Sequence, residues 1–297
     1  MATVVNLNQY LTQGAIEGFL DLIAPITAFS YVVKPGAVAL NDNVRVPFAQ
    51  NTSASNAFAY STGYATEGNA IVGKTVTLNN LLYQMIKLSD SDLMLLNPES
   101  LVRIGHQAGA RLAIDVISSS FAATLTTATY TNSGSAPGYL AASLSSSAGL
   151  AALDKAANDA KFPDGERTLI CNTTAWAALM SNAQVVNFQN FGSTDPVQQG
   201  KLRSVLGFTP YKTTLTIPGS KNGFIVNPNA LLFGNGYHTP QDYGAQYNSV
   251  QQMTDAKSGL TIGFRQYYDP VKATNVRVFD CLFGSAVGDS TALIWVS

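Results

Sequence analysis

The stretch KLSDSDLMLLNPESLVRIGHQAGARLAIDVISSSFAATL, residues 87–125, contains the strongest helix signal in the sequence. Asn97 is a favourable N-cap, Pro98 suits the first helical position, and Glu99 lies in the first turn, where a negative charge complements the helix dipole. The pattern predicts a helix that runs to about Leu125. At 1.5 Å per residue such a helix is roughly 40 Å long.

This predicted helix has very little charge for its length. Apolar side chains occupy most of its circumference, so the helix must be covered on several sides. His106 lies within it among small apolar residues, which favours a packing or interface role over a catalytic one. The charged side chains of the helix are those of Glu99, Arg103, Arg111 and Asp115.

Before this helix, two strands enclose a long polar loop. Val44–Phe48 and Lys74–Leu78 alternate apolar and polar residues with a period of two. Between them, residues 49–70 carry one charge, that of Glu67. A connection of this length inside a domain usually has a function. Aromatic rings are unusual in disordered linkers, so these rings must contact something: Phe58, Tyr60 and Tyr64.

The first residues of the sequence predict a short amphipathic helix. Apolar side chains recur every four residues between Asn8 and Ala24, and Pro25 ends the pattern. After the long central helix, the Gly/Ser/Pro-rich segment Thr131–Gly138 indicates a domain boundary. The helices and strands predicted beyond it are a helix at Ser145–Lys161, a strand at Thr168–Cys171, a helix at Asn172–Met180, a helix at Pro196–Val205, and strands at Thr209–Thr216 and Gly223–Val226.

The sequence ends in further β-structure. Gly234-Asn-Gly236 has the composition of a turn. LTIGFRQYY and NVRVFDCLFG flank the turn formed by residues 269–272 and predict a hairpin, and TALIWV supplies a last apolar strand.

Composition indicates a globular protein with much of its surface in contact with partners. Of 297 residues, 46% are hydrophobic and 12% are charged, about half the usual charged fraction, and the net charge is −1. An uncharged polar surface favours burial against other chains. No basic arm is present to neutralise phosphates, so direct condensation of nucleic acid is not expected.

The N-terminal sequence and the cysteine content indicate an intracellular protein. The start of the sequence lacks the basic and apolar regions of a signal peptide, and no apolar run is long enough to cross a bilayer. Cys171 and Cys281 are too few for a disulfide framework, and we expect buried free thiols in a reducing cytoplasm.

The sequence contains only weak matches to catalytic motifs. GNAIVGKT, with Lys74 and Thr75, matches a phosphate-binding loop literally, but the loop lacks the preceding strand and following helix that a phosphate cradle needs. His238, with Asp242 four residues on, is unaccompanied by an activated nucleophile. No spacing of Cys or His indicates a metal site. We therefore predict no catalytic, metal or cofactor site and no enzymatic activity.

The order of these segments resembles the major capsid protein of tailed bacteriophages, which has the Hong Kong-97-type fold. The resemblance is carried by the N-terminal arm, the two-stranded loop, the long helix, the Gly/Ser break, the α/β region that ends PNALLFGNG, and the hairpin IGFRQYYDPVKATNVRVFDCLFGSAV. It covers nearly the whole chain and implies an α+β fold. In that fold the long helix is called the spine helix.

The resemblance also implies a domain organisation. An N-terminal arm would span residues 1–42 and an extended β-hairpin loop residues 43–85. A peripheral domain with the spine helix would comprise residues 86–130 and 255–297, although the last strand could join the axial α/β domain, residues 131–254. The extended loop would bury the rings of Phe58, Tyr60 and Tyr64 on a neighbouring copy, and Glu67 would also be a contact residue of the loop. Other contacts would come from the spine helix (Arg103, His106, Arg111, Asp115) and the peripheral hairpin (Tyr267, Asp269, Lys272).

As implied by the resemblance, the protein would assemble with itself into hexamers and pentamers of an icosahedral shell. Separate scaffolding, portal and cement or decoration proteins would be its partners, and the packaged double-stranded DNA would be held without sequence-specific binding. Assembly would occur in the host cytoplasm, without a membrane, and the protein would reside in the virion. The alternatives are an encapsulin-type nanocompartment shell of the same fold, a surface-layer or adhesin protein, and an NTPase.

Overall fold

A computed structural model provides the structure of the protein. It describes residues 4–23, 26–33, 39–49, 60–61, 71–130, 140–162, 167–186, 204–238, 247–255 and 258–297. The α-helices are α1 (Val4–Ile23), α2 (Ile26–Phe29), α3 (Asp90–Leu95), α4 (Pro98–Thr124), α5 (Ser147–Asp159), α6 (Thr173–Ser181) and α7 (Ala183–Val186). Short 3-10 helices lie at Ala141–Ser145, Pro218–Ser220 and Pro228–Ala230.

The strands form three sheets. They are β1 (Ser30–Val33), β2 (Asp42–Ala49), β3 (Ile71–Leu78), β4 (Asn80–Ser89), β5 (Arg167–Cys171), β6 (Phe208–Lys212), β7 (Gly223–Val226), β8 (Leu231–Gly236), β9 (Ser249–Thr254), β10 (Thr261–Asp269), β11 (Thr274–Val287) and β12 (Leu293–Val296). The mixed composition confirms the predicted α+β class.

The long helix is as the sequence predicts. Asn97 is its N-cap and accepts a hydrogen bond from the Ser100 backbone N–H at 2.8 Å, Pro98 begins it, and Leu125 is its C-cap. The expectation that it is covered on several sides is confirmed, because α1 packs along it and β4 and β11 lie beneath it. The helix α1 also begins earlier than predicted and ends before Pro25.

The largest sheet has six strands in the order β1-β8-β11-β10-β9, with β4 paired to β11. The pairing of β1 with β8 is parallel and the other pairings are antiparallel. The predicted C-terminal hairpin is confirmed: Asp269 of β10 is opposite Thr274 of β11. A second, four-stranded sheet has the order β12-β7-β5-β6, so the last strand lies beside β7 and not in the larger sheet.

Aromatic side chains join the two sheets through one core. Phe121 of α4 lies 5.5 Å from Phe29 and 6.0 Å from Phe224 of β7, between ring centroids, and Phe224 lies 5.8 Å from Trp295 of β12. The indole N–H of Trp295 donates to the Tyr130 backbone carbonyl at 2.8 Å. Edge-on ring pairs of this kind add stability beyond the area they bury.

The predicted turn at Gly234-Asn-Gly236 is wrong, because these residues belong to β8. A Cβ on Gly234 would lie 2.9 Å from Cδ2 of Leu78, so glycine is present because β3 packs directly on this strand. Asn235 is buried and hydrogen-bonded on both sides of its amide: its Oδ1 accepts from the Thr261 N–H and its Nδ2 donates to the Thr261 carbonyl.

Three further predictions differ from the structure in their bounds. The strand predicted at Thr209–Thr216 begins at Phe208 and ends at Lys212. The helix predicted at Pro196–Val205 falls mostly outside the described residues, and Val205 forms a β-bridge with Phe208. The predicted helix at Ser145–Lys161 is α5, with Ser146 as its N-cap.

Candidate assembly interface

The two strands that flank the long loop form a ribbon anchored to the large sheet. β2 and β3 pair antiparallel from Asp42 opposite Leu78 to Ala49 opposite Ile71. At its base, the buried side chains of Val46, Val76 and Leu78 pack on Leu232 of β8 and Leu282 of β11. The body of the protein therefore fixes the direction in which the ribbon leaves it.

A glycine in β11 allows the ribbon to approach the large sheet closely. A Cβ on Gly284 of β11 would lie 2.0 Å from the Thr77 carbonyl oxygen, so the backbones of ribbon and sheet are in direct contact. No larger residue fits there without moving the ribbon.

Tyr60 lies midway in the sequence between β2 and β3. It occupies a turn with Ser61, and its side chain is 98% exposed. The other predicted loop residues, Phe58, Tyr64 and Glu67, lie outside the described residues. A tyrosine this exposed presents most of its apolar surface to other molecules.

Lys74 and Thr75 lie in the middle of β3, and the strand runs on to Leu78. The helix that a phosphate-binding loop requires does not follow them, because the next described element is the strand β4. Lys74 is thus near the base of the ribbon, on the returning strand.

The predicted residues of the spine helix make contacts within the chain. Arg103 pairs with Glu99 at 3.0 Å and Arg111 with Asp115 at 3.1 Å, each one turn apart. Both arginines are well exposed, and exposed pairs of this kind contribute little stability. These residues lie on the surface of α4 and are accessible to a partner.

His106, for which the sequence favoured a packing or interface role, lies on the surface of the protein. Its side chain is exposed on α4, with Nε2 3.4 Å from Oδ2 of Asp21 at the end of α1. His238 follows β8, where its backbone carbonyl accepts a hydrogen bond from Arg265 at 3.0 Å, and Asp242 lies outside the described residues. The structure thus brings the two histidines into different surroundings and not into one site.

The tip of the β10–β11 hairpin is held by its own hydrogen bonds. Asp269 accepts from the backbone N–H groups of Val271 and Lys272, at 3.1 and 3.3 Å. Tyr267 packs edge-on against Tyr247, 6.2 Å between centroids. Of the three predicted contact residues on the hairpin, Asp269 and Tyr267 therefore serve the chain itself, and Lys272 is exposed.

Sequence reasoning missed the residues that fix this tip. Asp90 at the start of α3 accepts hydrogen bonds from the Tyr268 hydroxyl at 2.9 Å and from Asn275 Nδ2 at 3.3 Å. The bond to Asp90 raises the pKa of Tyr268 above its usual value. Beside these bonds, Val271 is 91% exposed and Leu95 at the end of α3 is 86% exposed. The alternation of apolar and polar residues could not indicate a contact between segments so distant in the sequence.

Three arginines of the described residues carry charge into the interior: Arg167, Arg265 and Arg277. Arg265 of β10 pairs with Asp280 of β11 at 2.5 Å, and both are buried. Burial raises the pKa of Asp280, whereas the nearby Arg265 acts in the opposite direction. Arg167 of β5 pairs with Asp154 of α5 at 2.8 Å. Each pair joins two elements of the fold, which is a structural role.

The expectation that both cysteines are buried free thiols is confirmed. Cys171 and Cys281 are free and buried. Burial raises the pKa of Cys171 to about 12, and it raises the pKa of Cys281 as well. Thiols with such pKa values are poor nucleophiles. Within the described residues no group of His, Cys, Asp and Glu side chains could hold a metal ion.

A crevice lies between the end of α1, β1 and β6. Its volume is about 960 Å³, and its lining includes Asp21, Tyr31, Tyr211 and Asp255. Ser258 also lines the crevice, and both its hydroxyl and its backbone N–H donate to Oδ2 of Asp255, each at 2.6 Å. In the part of the chain that the structure describes, no helix has the length and apolar character to span a bilayer.

Known proteins resemble this chain in structure and not in sequence. No family model matches the sequence, and no curated protein matches it significantly. The structure is similar to one from Mycobacterium phage Che8, with a TM-score of 0.51 and 14% identity over 86% of this chain and 84% of that one. It is also similar to a capsid structure of the cyanophage P-SCSP1u, with a TM-score of 0.51 and 16% identity over 90% and 85% of the two chains.

A third similar structure is a virus-like particle from Pyrococcus furiosus. The TM-score is 0.54 at 15% identity, and the match covers 97% of this chain and 98% of that one. These similarities confirm the predicted capsid-type fold along nearly the whole chain.

Proposed function

We propose that this protein is the major capsid, or coat, protein that self-assembles into the icosahedral shell around the double-stranded DNA genome of a tailed phage. The observation that carries the proposal is the shared fold, which extends over 90% of this chain in the case of the cyanophage capsid structure. In our proposal the ribbon, the long helix and the C-terminal hairpin are the parts through which copies would meet.

The ribbon supports the proposal independently of the similarity. Its base is packed on the body of the protein, and Tyr60, midway in the sequence between its two strands, is 98% exposed. Burying a tyrosine side chain of about 150–250 Å² yields about 4–6 kcal/mol as an upper limit at 25 cal/mol per Å². Repeated over many copies, a contact of this size would contribute strongly to a closed shell.

The contacts within the shell would divide among the parts of the fold. In our proposal the ribbon of one copy lies across a neighbour, and α4 with the β10–β11 hairpin forms contacts around three-fold positions. The axial domain, residues 131–254, forms the five-fold and six-fold vertices. In the same proposal the peripheral domain comprises residues 86–130 and 255–297. The N-terminal arm comprises residues 1–42, and the extended loop comprises residues 43–85.

A shell protein of this kind would act without catalysis or cofactors. The buried thiols with raised pKa values and the separate locations of His106 and His238 agree with a structural role. Its partners would be itself in hexamers and pentamers, separate scaffolding, portal and cement proteins, and DNA held without sequence recognition. Assembly would take place in the host cytoplasm, and the protein would be part of the virion.

Electron microscopy of the expressed chain tests the proposal, with and without a co-expressed scaffold. We expect closed or partial shells. Tyr60→Ser should reduce their yield, whereas Ser61→Ala, at the neighbouring exposed position, should not. A monodisperse monomer in light scattering at high protein concentration under every condition would contradict the proposal.

A nanocompartment shell is the second candidate. The observation behind it is the similarity to a virus-like particle from Pyrococcus furiosus, which extends over nearly the full length of both chains. The contents of particles from the native source distinguish the two candidates. Nuclease-protected double-stranded DNA would support the capsid, and a single enzyme retained inside would support the compartment.

A further inference from the structure

The helices α1 and α4 touch through their backbones at four glycines. A Cβ on Gly14 would lie 2.2 Å from the Val102 carbonyl oxygen, and a Cβ on Gly18 would lie 2.1 Å from that of His106. The contact is reciprocal, because a Cβ on Gly105 or Gly109 of α4 would meet the carbonyl oxygens of Leu11 and Ala15, at 2.2 and 1.9 Å. Each helix thus presents two glycines four residues apart to the backbone of the other.

This contact fixes the register of the two helices. Because Gly14 meets Val102 and Gly18 meets His106, the helices run parallel with a constant offset. Moving α1 by one turn in either direction would place Tyr10 or Leu22 where a glycine now lies. Neither side chain fits against a carbonyl oxygen at that distance, so a shift of one turn is excluded.

The residues that follow α1 are also bound to the body of the same chain. β1 pairs in parallel with β8, from Ser30 opposite Leu231 to Val33 opposite Gly234. The Thr168 hydroxyl donates to the Ala28 backbone carbonyl at 2.9 Å. Only two residues separate α1 from α2, so α1 cannot move to another copy unless β1 moves with it.

Detachment of residues 4–33 from the body of the chain would open the core. The side chains of Leu11, Phe19, Ile23 and Phe29 are buried in the main core beside α4. Detaching residues 4–33 would expose all of them to water before any contact on a second copy could replace the loss. Such an exchange therefore requires partial unfolding.

We infer that the four glycines lock α1 in cis on the α4 of its own chain, and that α1 stays there when copies associate. Residues 4–33 are then a fixed part of each subunit and not an arm exchanged between subunits. Other surfaces, such as the ribbon, then make the contacts that hold copies together. The part of the inference that concerns assembled particles rests on the proposed function, whereas the lock itself applies to the isolated chain.

Cross-linking between positions 21 and 106 tests the lock, because the side chains of Asp21 and His106 meet on the surface at 3.4 Å. The double variant Asp21→Cys/His106→Cys is treated with a short bis-maleimide, from which the two native thiols are shielded by burial. We expect a link within one chain, identified by peptide mass spectrometry, and monomer mobility on a denaturing gel. Failure of this link to form would overturn the inference.

Exchange is tested by co-expressing the two single variants, Asp21→Cys and His106→Cys, and treating both unassembled chain and particles. We expect no cross-linked peptide that joins position 21 of one chain to position 106 of another, with each single variant alone as the background. Such a peptide in particles or in free chain would overturn the lock. Absence of particles would instead contradict the proposed function and leave the result on the free chain decisive.

The glycines themselves are tested in the background of the double variant. Gly109→Ala should lower the yield of the intrachain link severalfold, because the added methyl separates the helices, while Gln107→Ala on the exposed side of α4 should leave the yield unchanged. Equal yields in both variants would contradict the role given to the glycines.

Discussion

Gly18 of α1 lies directly against the backbone of His106 in α4, so close that a Cβ on Gly18 would sit 2.1 Å from the His106 carbonyl oxygen. Glycine is unfavourable inside a helix by about 1 kcal/mol relative to alanine. Its presence at this point is therefore explained by packing between helices and not by the stability of α1 alone.

Replacing Gly18 or Gly109 by alanine should destabilise the protein, although alanine is the better helix former. Forcing a methyl group into a filled contact typically costs about 1–3 kcal/mol. Urea unfolding measures the change, and Gln107→Ala serves as the exposed control on the same helix. A Gly109→Ala variant as stable as the parent would show that the two backbones are not in contact.

Removing Arg265 should leave a buried, uncompensated carboxylate at Asp280. Breaking a buried pair of this kind costs about 3–5 kcal/mol. We expect Arg265→Met to be much less stable than Arg265→Met/Asp280→Leu, in which both charges are absent. If chemical unfolding showed the double variant to be less stable than Arg265→Met, the two charges would not be a coupled buried pair.

The Arg265→Met variant should also respond to pH in a defined direction. Burial raises the pKa of Asp280 above its usual value of 3.8, and loss of Arg265 removes an influence that lowers it. A raised pKa in the folded state means that the contribution of Asp280 to stability is present at low pH and is lost as pH rises through that pKa. The stability deficit of Arg265→Met relative to the parent should therefore shrink as the pH falls from neutrality towards the usual carboxyl range. A deficit that grew on acidification would contradict this assignment.

The two cysteines should be unreactive in the folded protein. Both are buried, and the pKa of Cys171 is about 12, so almost no thiolate exists in mildly alkaline buffer. We expect Ellman's reagent to label neither thiol in native protein and both after denaturation. Rapid labelling of one thiol under native conditions would mean that its surroundings open readily.

Shortening the ribbon should separate folding from assembly. Ala49 is opposite Ile71, so replacing residues 50–70 by Asn-Gly would close the ribbon with a two-residue turn. The base that packs on Leu232 and Leu282 is retained, and cooperative thermal unfolding should remain. Shells should no longer be visible by electron microscopy. Loss of the cooperative transition would indicate that residues 50–70 contribute to the core of their own chain.

Particles should contain no covalent links between chains. Forming an isopeptide bond needs a neutral lysine amine close to its target, and no lysine lies between residues 50 and 73. Lys74 is near the base of the ribbon, opposite Val46. Boiled and reduced particles should run as single chains of 31.4 kDa. A ladder of multimers would disagree with this and would make Lys74→Ala the first variant to test.

The sequence by itself determined the elements whose signals are local. Asn97, Pro98 and Glu99 mark the start of α4 because capping and dipole effects act within one turn. Period-two alternation found β2 and β3, and the turn at residues 269–272 with its two flanking segments found the β10–β11 hairpin. Low charge and aromatic residues in a long loop indicated a surface meant for partners, and the order of elements indicated the capsid-type fold.

Only the tertiary structure decided what depends on contacts between distant segments. Gly234 has the composition of a turn but lies in β8, because β3 packs against its backbone. The sequence does not mark Gly18 and Gly109 as contact positions, since their spacing acquires meaning only when two helices far apart in the sequence are brought together. Asp90 holds the tip of a hairpin far along the chain for the same reason. Close packing and buried hydrogen bonds depend on the chain's path in space, which local patterns do not encode.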